Sequence, residues 1–409
     1  MRHVWLAAAA LAAVATACSA QEAAAPAAPG TPVETRPANA PTQQPAFAGQ
    51  TRAPAVVTPV ALAHTVVARG LEHPWGLAQL PDGRWLVTER PGRLRVIGTD
   101  GSVSAPVAGL PEVFAQRQGG LLDVIISPTF AQDRLIYWSY SEPRGESGNG
   151  TAVARARLSA DGTRVENVQV IFRAIPPYGN GMHYGSALTF DAQGRLYVTL
   201  GERSDRATRP QAQALDSHYG KTVRINADGS VPADNPFVGR AGALPEIFSL
   251  GHRNAQGIAL RPATGQIWSI EHGARGGDEL NLEVAGANYG WPDVTYGIEY
   301  NGQTISEGVT ARDGVVQPDY YWDPSIAPGG MTFYDAALVP AWRGDLFVTA
   351  LNGKHLARLV LNGDRVVGEE RLLTDLNQRL RDVVVGADGA LYVITDEDDG
   401  QLVRLAPAG

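Results

Sequence analysis

The amino-acid sequence predicts an all-β fold, specifically a six-bladed β-propeller, from three observations. The 409-residue chain contains 46 glycines and 28 prolines beside 44% hydrophobic residues, a composition that fills a core while ending many strands in turns. A sequence pattern that predicts strand, turn and strand recurs six times. Segments with the 3.6-residue period of helices are few. These features favour one large repeat-built β domain, since all-β domains often exceed average domain size.

The repeat consists of a glycine with a hydrophobic neighbour, a turn, and an alternating strand that ends near Thr, Glu or Gly. Asp-Gly or Gln-Gly lies between runs that favour the extended state, so each copy predicts two strands joined by a hairpin. Such a sheet buries both faces only by stacking against similar sheets, so six copies predict six blades. Polar loops just outside the repeats are the expected ligand positions. The copies begin at Gly76, Gly120, Gly185, Gly257, Gly330 and Arg381.

The first 18 residues have the features of an export signal. Arg2 precedes an apolar run from Val4 to Val14 that is too short to span a bilayer, and small residues lead to Cys18. We predict a signal peptide over residues 1–18, with lipidation at Cys18 or ordinary cleavage nearby; an uncleaved leader is the remaining alternative. The predicted location is the bacterial periplasm, with or without a membrane anchor. Because Cys18 is the only cysteine, an intramolecular disulfide is excluded.

Residues 19–60 are rich in Ala, Pro, Thr and Gln and have no hydrophobic period. They are predicted to form a disordered, flexible tether, followed by the propeller domain over residues 61–409. The formal net charge of -8 argues against a nucleic-acid partner, because phosphate binding needs a basic surface.

Several common catalytic motifs are incomplete or absent in the sequence. Gly220, Lys221 and Thr222 end like a phosphate-binding loop, but the earlier glycine position is Leu215. No GxSxG elbow occurs, and the histidines lack zinc-type spacing. A metal, if bound, is therefore expected to have oxygen ligands.

Four polar, glycine-rich segments outside the repeats carry a resemblance to a known family. They are GNGMHYGSALTF, LGERSD, LGHRNAQGIAL and EHGARGGDELNLEVAGANYGWP. In combination they resemble the soluble aldose sugar dehydrogenases that depend on pyrroloquinoline quinone (PQQ), a glucose/sorbosone dehydrogenase-like family. The resemblance runs from about Leu71 to Leu405. Six-bladed propellers are typical of that family, in agreement with the repeat count.

The resemblance implies three catalytic residues. His183 takes the position of the family's base, which accepts the proton of the sugar's anomeric hydroxyl while hydride leaves the same carbon. Glu202 takes the position of an acid that orients this base and stabilises its charged form. Arg253 matches a residue beside the quinone, where a guanidinium stabilises developing negative charge. The alternatives are a structural histidine, a solvated carboxylate and a structural ion pair.

The resemblance also implies a set of cofactor contacts. PQQ carries three carboxylates, so a clamp of cations is expected. The arginines at 379 and 381 are two apart and share one face of a strand. The family lysine on the preceding blade is Asn352 here, with Lys354 nearby as a substitute. The implied contacts are Gln118, Arg253, Asn254, Tyr300, Trp322, Arg379 and Arg381.

Calcium is the second implied cofactor. The carbonyls of Gly273 and Ala274 correspond to the family's ligands for the ion beside PQQ, and Ala274 stands where the family often has Pro. Glu279 and the Tyr289 carbonyl match a second, structural calcium site. Such hard oxygen ligands suit Ca²⁺. Asp278 either joins this site or caps local structure.

The resulting functional prediction is PQQ- and calcium-dependent oxidation of aldoses to lactones, with an external electron acceptor. Met182 replaces an acid found in the glucose-oxidising branch, so a broad aldose range is expected rather than glucose specificity. Two alternatives remain: a ligand-binding propeller that has lost the chemistry, and a calcium-dependent lactonase. The first would not need His183, Arg253 and the arginine pair together, and the second needs convergent Glu, Asn and Asp ligands that the sequence does not supply.

Overall fold

Twenty-three strands form six sheets around a common axis in the computed structural model of this chain, which describes residues 30–409. The predicted all-β, six-bladed propeller is confirmed. Blades 1 to 5 follow one another along the chain as β2–β4, β5–β8, β9–β12, β13–β16 and β17–β20, and blade 6 contains β21–β23 together with β1. The strands are β1 (Leu62–Leu71), β2 (Pro74–Gln79), β3 (Trp85–Glu89), β4 (Arg93–Ile97), β5 (Leu121–Ile126), β6 (Leu135–Pro143), β7 (Asn149–Leu158), β8 (Val165–Arg173), β9 (Leu188–Phe190), β10 (Arg195–Leu200), β11 (Lys221–Asn226), β12 (Ile247–Leu250), β13 (Ala255–Leu260), β14 (Ile267–Glu271), β15 (Asp278–Leu282), β16 (Tyr320–Trp322), β17 (Pro328–Phe333), β18 (Leu346–Ala350), β19 (His355–Asn362), β20 (Arg365–Leu372), β21 (Leu380–Val385), β22 (Leu391–Thr395) and β23 (Gly400–Pro407).

Helical structure is sparse over residues 30–409. It comprises α1 (Phe130–Asp133) and the 3-10 turns Gly145–Ser147, Arg209–Ala212, Pro340–Trp342 and Thr374–Leu376. In this part of the chain, no helix has the length and apolar character needed to cross a bilayer. The predicted signal peptide over residues 1–18, with Cys18, lies outside the described residues.

The ring is closed by pairing its first strand with its last. β1 runs antiparallel to β23, with Leu62 opposite Pro407 and Val66 opposite Val403. The inner strands β2, β5, β9, β13, β17 and β21 contact one another in order around the axis. Each predicted repeat begins within one of these inner strands or just before it, which explains why six repeats correspond to six blades.

The core lies between neighbouring blades. Trp138 and Trp268 are almost fully buried, and every residue of β18 and β22 is buried. Strands covered on both faces have continuous apolar runs rather than strict alternation. Burial of each large apolar side chain contributes about 1.5–3 kcal/mol, so stability comes from blade-to-blade packing.

Buried hydroxyl groups bridge adjacent blades at four positions. Each lies on the second strand of its blade, accepts a hydrogen bond from the inner strand and donates to a carbonyl of the next blade. Thr349, for example, accepts from the Gly330 backbone N at 2.8 Å and donates to the Arg381 carbonyl at 3.0 Å. The hydroxyls that act in this way are Thr88, Ser139, Thr199 and Thr349.

Two aspartates, the buried Asp123 and the half-buried Asp382, line the central channel, a cavity of about 370 Å³. Asp123 accepts from the backbone N of Leu188 at 2.6 Å, and Asp382 accepts from the backbone N of Leu77 at 3.0 Å. Each carboxylate thus ties its blade to the next one. Burial raises the pKa of Asp382 to about 7, and burial together with the charge of Asp382 raises the pKa of Asp123.

The prediction of a disordered tether over residues 19–60 is wrong for residues 30–60, which pack against blades 4 and 5. Gln50 is fully buried, and Ala53 lies in the core cluster between these blades. Backbone hydrogen bonds join Val56 to Glu369 of β20, and Tyr321 of β16 to Gln50. The segment is ordered by polar contacts with distant residues, which a composition lacking apolar period does not reveal.

Candidate active site

The predicted site residues lie mainly on one face of the ring. His183 precedes β9, Arg253 precedes β13 and Arg379 precedes β21, whereas Glu202 follows β10 and Gly273 follows β14. Neighbouring strands in a blade are antiparallel, so the start of an inner strand and the end of the second strand share one edge. The ring therefore brings the loops of blades 3, 4 and 6 to one rim.

A buried histidine-carboxylate pair stands on this rim. His183 is 5% exposed and Glu202 is 1% exposed, and His183 Nδ1 lies 3.1 Å from Glu202 Oε1. The second Glu202 oxygen accepts from the Ser204 backbone N at 2.5 Å, and Gln118 Oε1 accepts from the His183 backbone N at 2.8 Å. An ionised carboxylate only accepts, so Nδ1 carries the proton and Nε2 is left as the proton acceptor.

The surroundings keep this histidine neutral. Burial lowers the pKa of His183, and the positive charge of Arg253 lowers it further, although Glu202 acts in the opposite direction. Neutral imidazole is the form that can accept a proton. The loops pack closely here: a Cβ on Gly201 would collide with the His183 carbonyl and lie 2.8 Å from Asn254 Oδ1. Glycine at 201 is therefore part of what places the base.

Arg253 is fixed by blade 4. Its Nη1 donates to the carbonyl oxygens of His272, at 3.0 Å, and Gly273, and its backbone N donates to Glu271 Oε2 at 2.6 Å. The guanidinium lies over the ring of Trp291 at 5.3 Å. Among the described residues, its buried Nε has no hydrogen-bond partner. This unsatisfied donor is a position that a ligand can satisfy.

Asn254 and Gln256 connect three blades beneath the rim. Asn254 Oδ1 accepts from the Gly185 backbone N at 3.1 Å and from Gln256 Nε2 at 3.3 Å. Gln256 Oε1 in turn accepts from Arg381 Nη1 at 3.1 Å. Asn254 thus holds the loop that carries His183, and Gln256 links this loop to blade 6.

A cluster of cations occupies the blade 6 side of the rim. Arg381 Nη2 lies 2.7 Å from Asp396 Oδ2, and the half-exposed Arg379 lies 3.7 Å from the same oxygen. His73 Nδ1 lies 2.9 Å from the other oxygen of Asp396. Burial lowers the pKa of Arg90, with the charges of Arg381 and Arg379 adding to this effect and Asp396 opposing it. Guanidinium groups of this kind pair well with the carboxylates of a polyanion such as PQQ.

Asn352 and Lys354, the family lysine position and its predicted substitute, lie outside the strands. Both lie in the turn between β18 and β19, where Lys354 has φ 52° and its Nζ donates to Asn377 Oδ1 at 3.3 Å. Asn377 is two residues before Arg379. Lys354 therefore reaches toward the cation cluster from blade 5.

Asp278 stabilises the predicted calcium loop, which contains Gly273 and Ala274, through hydrogen bonds. One oxygen of this carboxylate accepts from the Gly273 backbone N at 2.8 Å, and the other accepts from the Ser325 hydroxyl and the backbone N atoms of Ile326 and Ala327 at 2.7–2.8 Å. Asp278 thus caps local structure, one of its two predicted roles. The Gly273 carbonyl that accepts from Arg253 keeps a second lone pair for another partner.

Two buried carboxylates face each other beside this loop. Glu271 and Glu279 are direct partners across β14 and β15, and both lie within reach of Asn281 Nδ2, at 3.3 and 3.4 Å. Burial, and next the charge of Glu271, raise the pKa of Glu279 well above its usual value. Asn281 Oδ1 is buried without a partner in the described chain, and a cavity of about 10 Å³ lies among Glu271, Glu279 and Tyr289.

This arrangement fits one cation. Like charges opposed in a buried sheet are unfavourable, and an ion relieves them. In residues 30–409, no cluster of three or more His, Cys, Asp or Glu side chains suits a metal. Carbonyl and amide oxygens would therefore have to complete the coordination of an ion bound here.

Comparisons with known proteins agree with this geometry. A sequence model of the family described as "Glucose / Sorbosone dehydrogenase" matches residues 71–404. The chain belongs to this family.

Relatives share both sequence and fold. The chain is 46% identical over 341 residues to aldose sugar dehydrogenase YliI of Escherichia coli, covering 82% of this chain and 91% of that protein. A crystal structure of a glucose dehydrogenase is 50% identical with a TM-score of 0.82, over 85% of this chain and all of that one. The PQQ-bound aldose sugar dehydrogenase of Streptomyces coelicolor is 27% identical with a TM-score of 0.68, again over 85% of this chain and all of that one. The predicted family and the prediction of a sugar-acting oxidoreductase are thereby confirmed.

Two residues predicted to contact the cofactor of this glucose/sorbosone dehydrogenase family member differ from the others: Trp322 is buried in the core, and Tyr300 is exposed on a loop. Trp322 is 3% exposed on β16, the outer strand of blade 4, and packs edge-on against Tyr320 in the core. Its side chain is therefore a packing residue. Tyr300 is 71% exposed on the loop after β15, one residue beyond Glu299, which pairs with Arg209 at 2.5 Å.

Sequence reasoning missed several rim residues, among them His73, Arg90, Gln256, Glu271 and Asp396. One signal was available, because an acid recurs at or just after the end of the second strand in three blades. Glu202 lies two residues after β10, Glu271 ends β14 and Asp396 follows β22 directly, in blades 3, 4 and 6. The acids that orient His183, Arg253 and Arg381 are therefore one repeated feature of the fold.

Proposed function

We propose that the protein oxidises the anomeric carbon of an aldose to a lactone, using PQQ and calcium. The observation that carries this proposal is the His183–Glu202 pair at 3.1 Å on the same rim as Arg253 and the arginines of blade 6. When bound, PQQ would supply a two-electron acceptor for the hydride that leaves the sugar. The balanced change is aldose plus quinone to lactone plus reduced quinone, followed by reoxidation through an external carrier.

His183 would hold the proton that leaves the sugar. Nδ1 faces Glu202, so Nε2 is the acceptor for the proton of the anomeric hydroxyl. As this proton arrives, imidazolium forms 3.1 Å from the Glu202 carboxylate, which stabilises the new charge. General-base catalysis of this kind contributes about 10²- to 10⁴-fold in rate.

Arg253, Arg379 and Arg381 would hold the cofactor. Arg253 is rigid because two carbonyls, a backbone bond to Glu271 and the Trp291 ring restrain it. A restrained guanidinium can stabilise negative charge without reorganisation during reaction. Arg381 is similarly restrained and also has a buried Nε without a partner among the described residues.

Calcium would be held at the loop of blade 4. The Gly273 and Ala274 carbonyls would serve the ion beside the cofactor, and Glu279 with the Tyr289 carbonyl would serve the structural ion. Support for the second site is the raised pKa of Glu279 and the partnerless Asn281 Oδ1 in the same cluster. A bound divalent ion can polarise an adjacent carbonyl.

Reconstitution tests the proposal. Purified apo protein would be titrated with PQQ and calcium, followed by absorbance, and then assayed by dye reduction with a panel of aldoses. We expect stoichiometric cofactor binding and turnover of several aldoses, because Met182 provides no carboxylate for one sugar hydroxyl. Failure to bind PQQ would contradict the proposal. Binding without turnover would favour a ligand-binding propeller, and lactone hydrolysis without PQQ would favour a lactonase.

We also propose export to the bacterial periplasm, on the basis of the predicted signal peptide over residues 1–18. Fractionation of cells that produce the full chain, with a Cys18→Ser variant, distinguishes the two forms of cleavage. Release of the variant, but not the native chain, from the membrane fraction is expected for lipidation. Retention of both in the cytoplasm would contradict export.

A further inference from the structure

Residues 30–60 form a closed loop with its base on blade 5 and its tip beside the calcium loop of blade 4. We call this segment the N-terminal brace. Its two ends pair with each other, with Pro32 opposite Pro54, and the base then runs along β20, with Ala55 opposite Glu369. The brace lies wholly outside residues 71–404, which the family model matches.

The base of the brace is anchored by charged and hydroxyl groups. Thr58 donates to Glu370 Oε2 at 2.6 Å and accepts from Trp342 Nε1 at 2.8 Å. Glu34 accepts from Arg371 Nη2 at 2.9 Å. These contacts hold the brace to blade 5 and do not touch the rim.

The tip of the brace forms hydrogen bonds with the segment that follows Thr295. Gln50 is fully buried; its Nε2 donates to the Pro318 carbonyl at 2.8 Å, and its Oε1 accepts from the Tyr296 hydroxyl at 3.0 Å. Gln43 Nε2 donates to the Gly297 carbonyl at 3.1 Å. Two glutamine side chains of the brace therefore fix two consecutive residues, Tyr296 and Gly297.

Those two residues lie directly against the calcium loop. Ile298 and Arg275 exchange backbone hydrogen bonds of 3.0 and 3.2 Å. A Cβ on Gly297 would lie 2.5 Å from the Gly276 carbonyl oxygen and 3.3 Å from the Ala274 backbone N, so the two backbones are in contact. Gly297, which accepts a hydrogen bond from Gln43, therefore lies in direct backbone contact with Ala274.

A second connection runs through Asp323. Its carboxylate accepts from the backbone N atoms of Asn39 and Ala40 at 2.8 and 2.9 Å. The same carboxylate packs on Gly276, where a Cβ would lie 2.5 Å from Asp323 Oδ1. The brace therefore supports the calcium loop from two sides.

We propose that the N-terminal brace positions the loop of Gly273 and Ala274 for calcium and PQQ, with Gln43 and Gln50 as positioning residues. This inference rests on the proposed function, because it assumes that the loop carries the ion. A preformed loop needs less ordering on binding, so loss of the brace contacts should weaken cofactor binding more than it slows chemistry.

The test compares Gln43→Ala with Gln44→Ala. Gln44 is the adjacent glutamine and is exposed, and within residues 30–409 its side chain bonds only to the Pro41 carbonyl, at 3.3 Å. Loss of one hydrogen bond predicts roughly two- to tenfold weaker binding of calcium and PQQ to Gln43→Ala, by calorimetry and absorbance titration. The sugar KM should stay unchanged at saturating cofactor. Gln44→Ala should match the native protein in every measurement.

Hydrogen exchange of the apo protein gives a readout free of any cofactor. The backbone N–H groups of Arg275 and Ile298 should exchange faster in Gln43→Ala than in Gln44→Ala, while those of β18 remain unchanged. A Gln43→Ala/Gln50→Leu double variant should enlarge both effects. Equal affinities and equal exchange in Gln43→Ala and Gln44→Ala would overturn the role of the brace. If the native protein binds neither calcium nor PQQ, the proposed function itself fails.

Discussion

His183 Nδ1 lies 3.1 Å from Glu202 Oε1, and both side chains are buried at the rim of the propeller. This contact fixes the tautomer of the base. Burial and the charge of Arg253 lower the pKa of His183, whereas Glu202 raises it. Substitution of either Glu202 or His183 tests the role of this pair.

Replacing Glu202 by Gln should move the acid limb of the kcat/KM profile to lower pH. The variant loses the carboxylate that raises the pKa of His183, so the imidazole becomes a weaker base. We expect kcat to fall by at least about tenfold because the imidazole also loses its fixed orientation. Profiles of the reconstituted enzyme between pH 5 and 9 provide the measurement. A limb that stays in place would contradict the assigned contact.

Replacing His183 by Gln should remove turnover while preserving cofactor binding. The amide retains size and hydrogen bonding but cannot take a proton, so kcat should fall by about 10²- to 10⁴-fold. Absorbance titration should give a PQQ affinity close to the native value. Surviving turnover would show that another group is the base.

Replacing Glu279 by Gln should uncouple thermal stability from calcium. In the native protein, a chelator should lower Tm, because the ion binds the folded state and relieves the repulsion between Glu279 and Glu271. In the variant, the chelator should have little effect on Tm. Glu307→Gln, on an exposed loop carboxylate, is the matched control and should respond as the native chain does. An equal response of Glu279→Gln to chelator would remove this residue from the calcium site.

Replacing Asp382 by Asn should flatten the dependence of stability on pH. The folded-state pKa of Asp382 is raised to about 7 from 3.8. The folded protein therefore binds the proton more tightly, and this contribution to stability is present below about pH 4 and lost as pH rises through 7. Urea midpoints at pH 5, 6, 7 and 8 should fall less steeply in the variant than in the native protein. Parallel curves would mean that another group, such as Asp123, carries the dependence.

Replacing Thr349 by Val should destabilise the ring. The hydroxyl bridges the Gly330 backbone N and the Arg381 carbonyl, so its loss leaves two buried groups without a partner at a cost of about 1–3 kcal/mol. Thr332→Val is the control, because in the described part of the chain this hydroxyl makes only a 3.5 Å contact with the Phe333 carbonyl. Urea unfolding measures both. Equal stability of the two variants would show that the bridge contributes nothing.

The sequence predicted the blades because their signal is local and periodic. Each inner strand and its hairpin recur within a few residues, as at Gly76 and Gly257, and the resemblance then supplied His183, Glu202, Arg253 and Arg381. The environments of individual side chains were harder to predict from the sequence. Trp322 lies in a segment without clear period, and nothing local distinguishes an outer-strand tryptophan in the core from one that covers a ligand.

The N-terminal brace was missed for a different physical reason. Gln43 and Gln50 bond to Gly297 and Pro318, more than 250 residues away in sequence. Buried glutamines paired with distant carbonyls have the same composition as a solvated polar linker. Only the folded ring brings their partners together.

The pairing of β1 with β23 also has a consequence for how the protein is made. β1 is synthesised before every other strand in residues 30–409, and its partner β23 is synthesised after all of them. Arg381 and Asp396 belong to the blade that β1 and β23 share, so the arginine side of the rim is completed only after the other five blades have been synthesised. The cations that blade 6 contributes to the rim are therefore synthesised last, after His183 of blade 3 and Arg253 of blade 4.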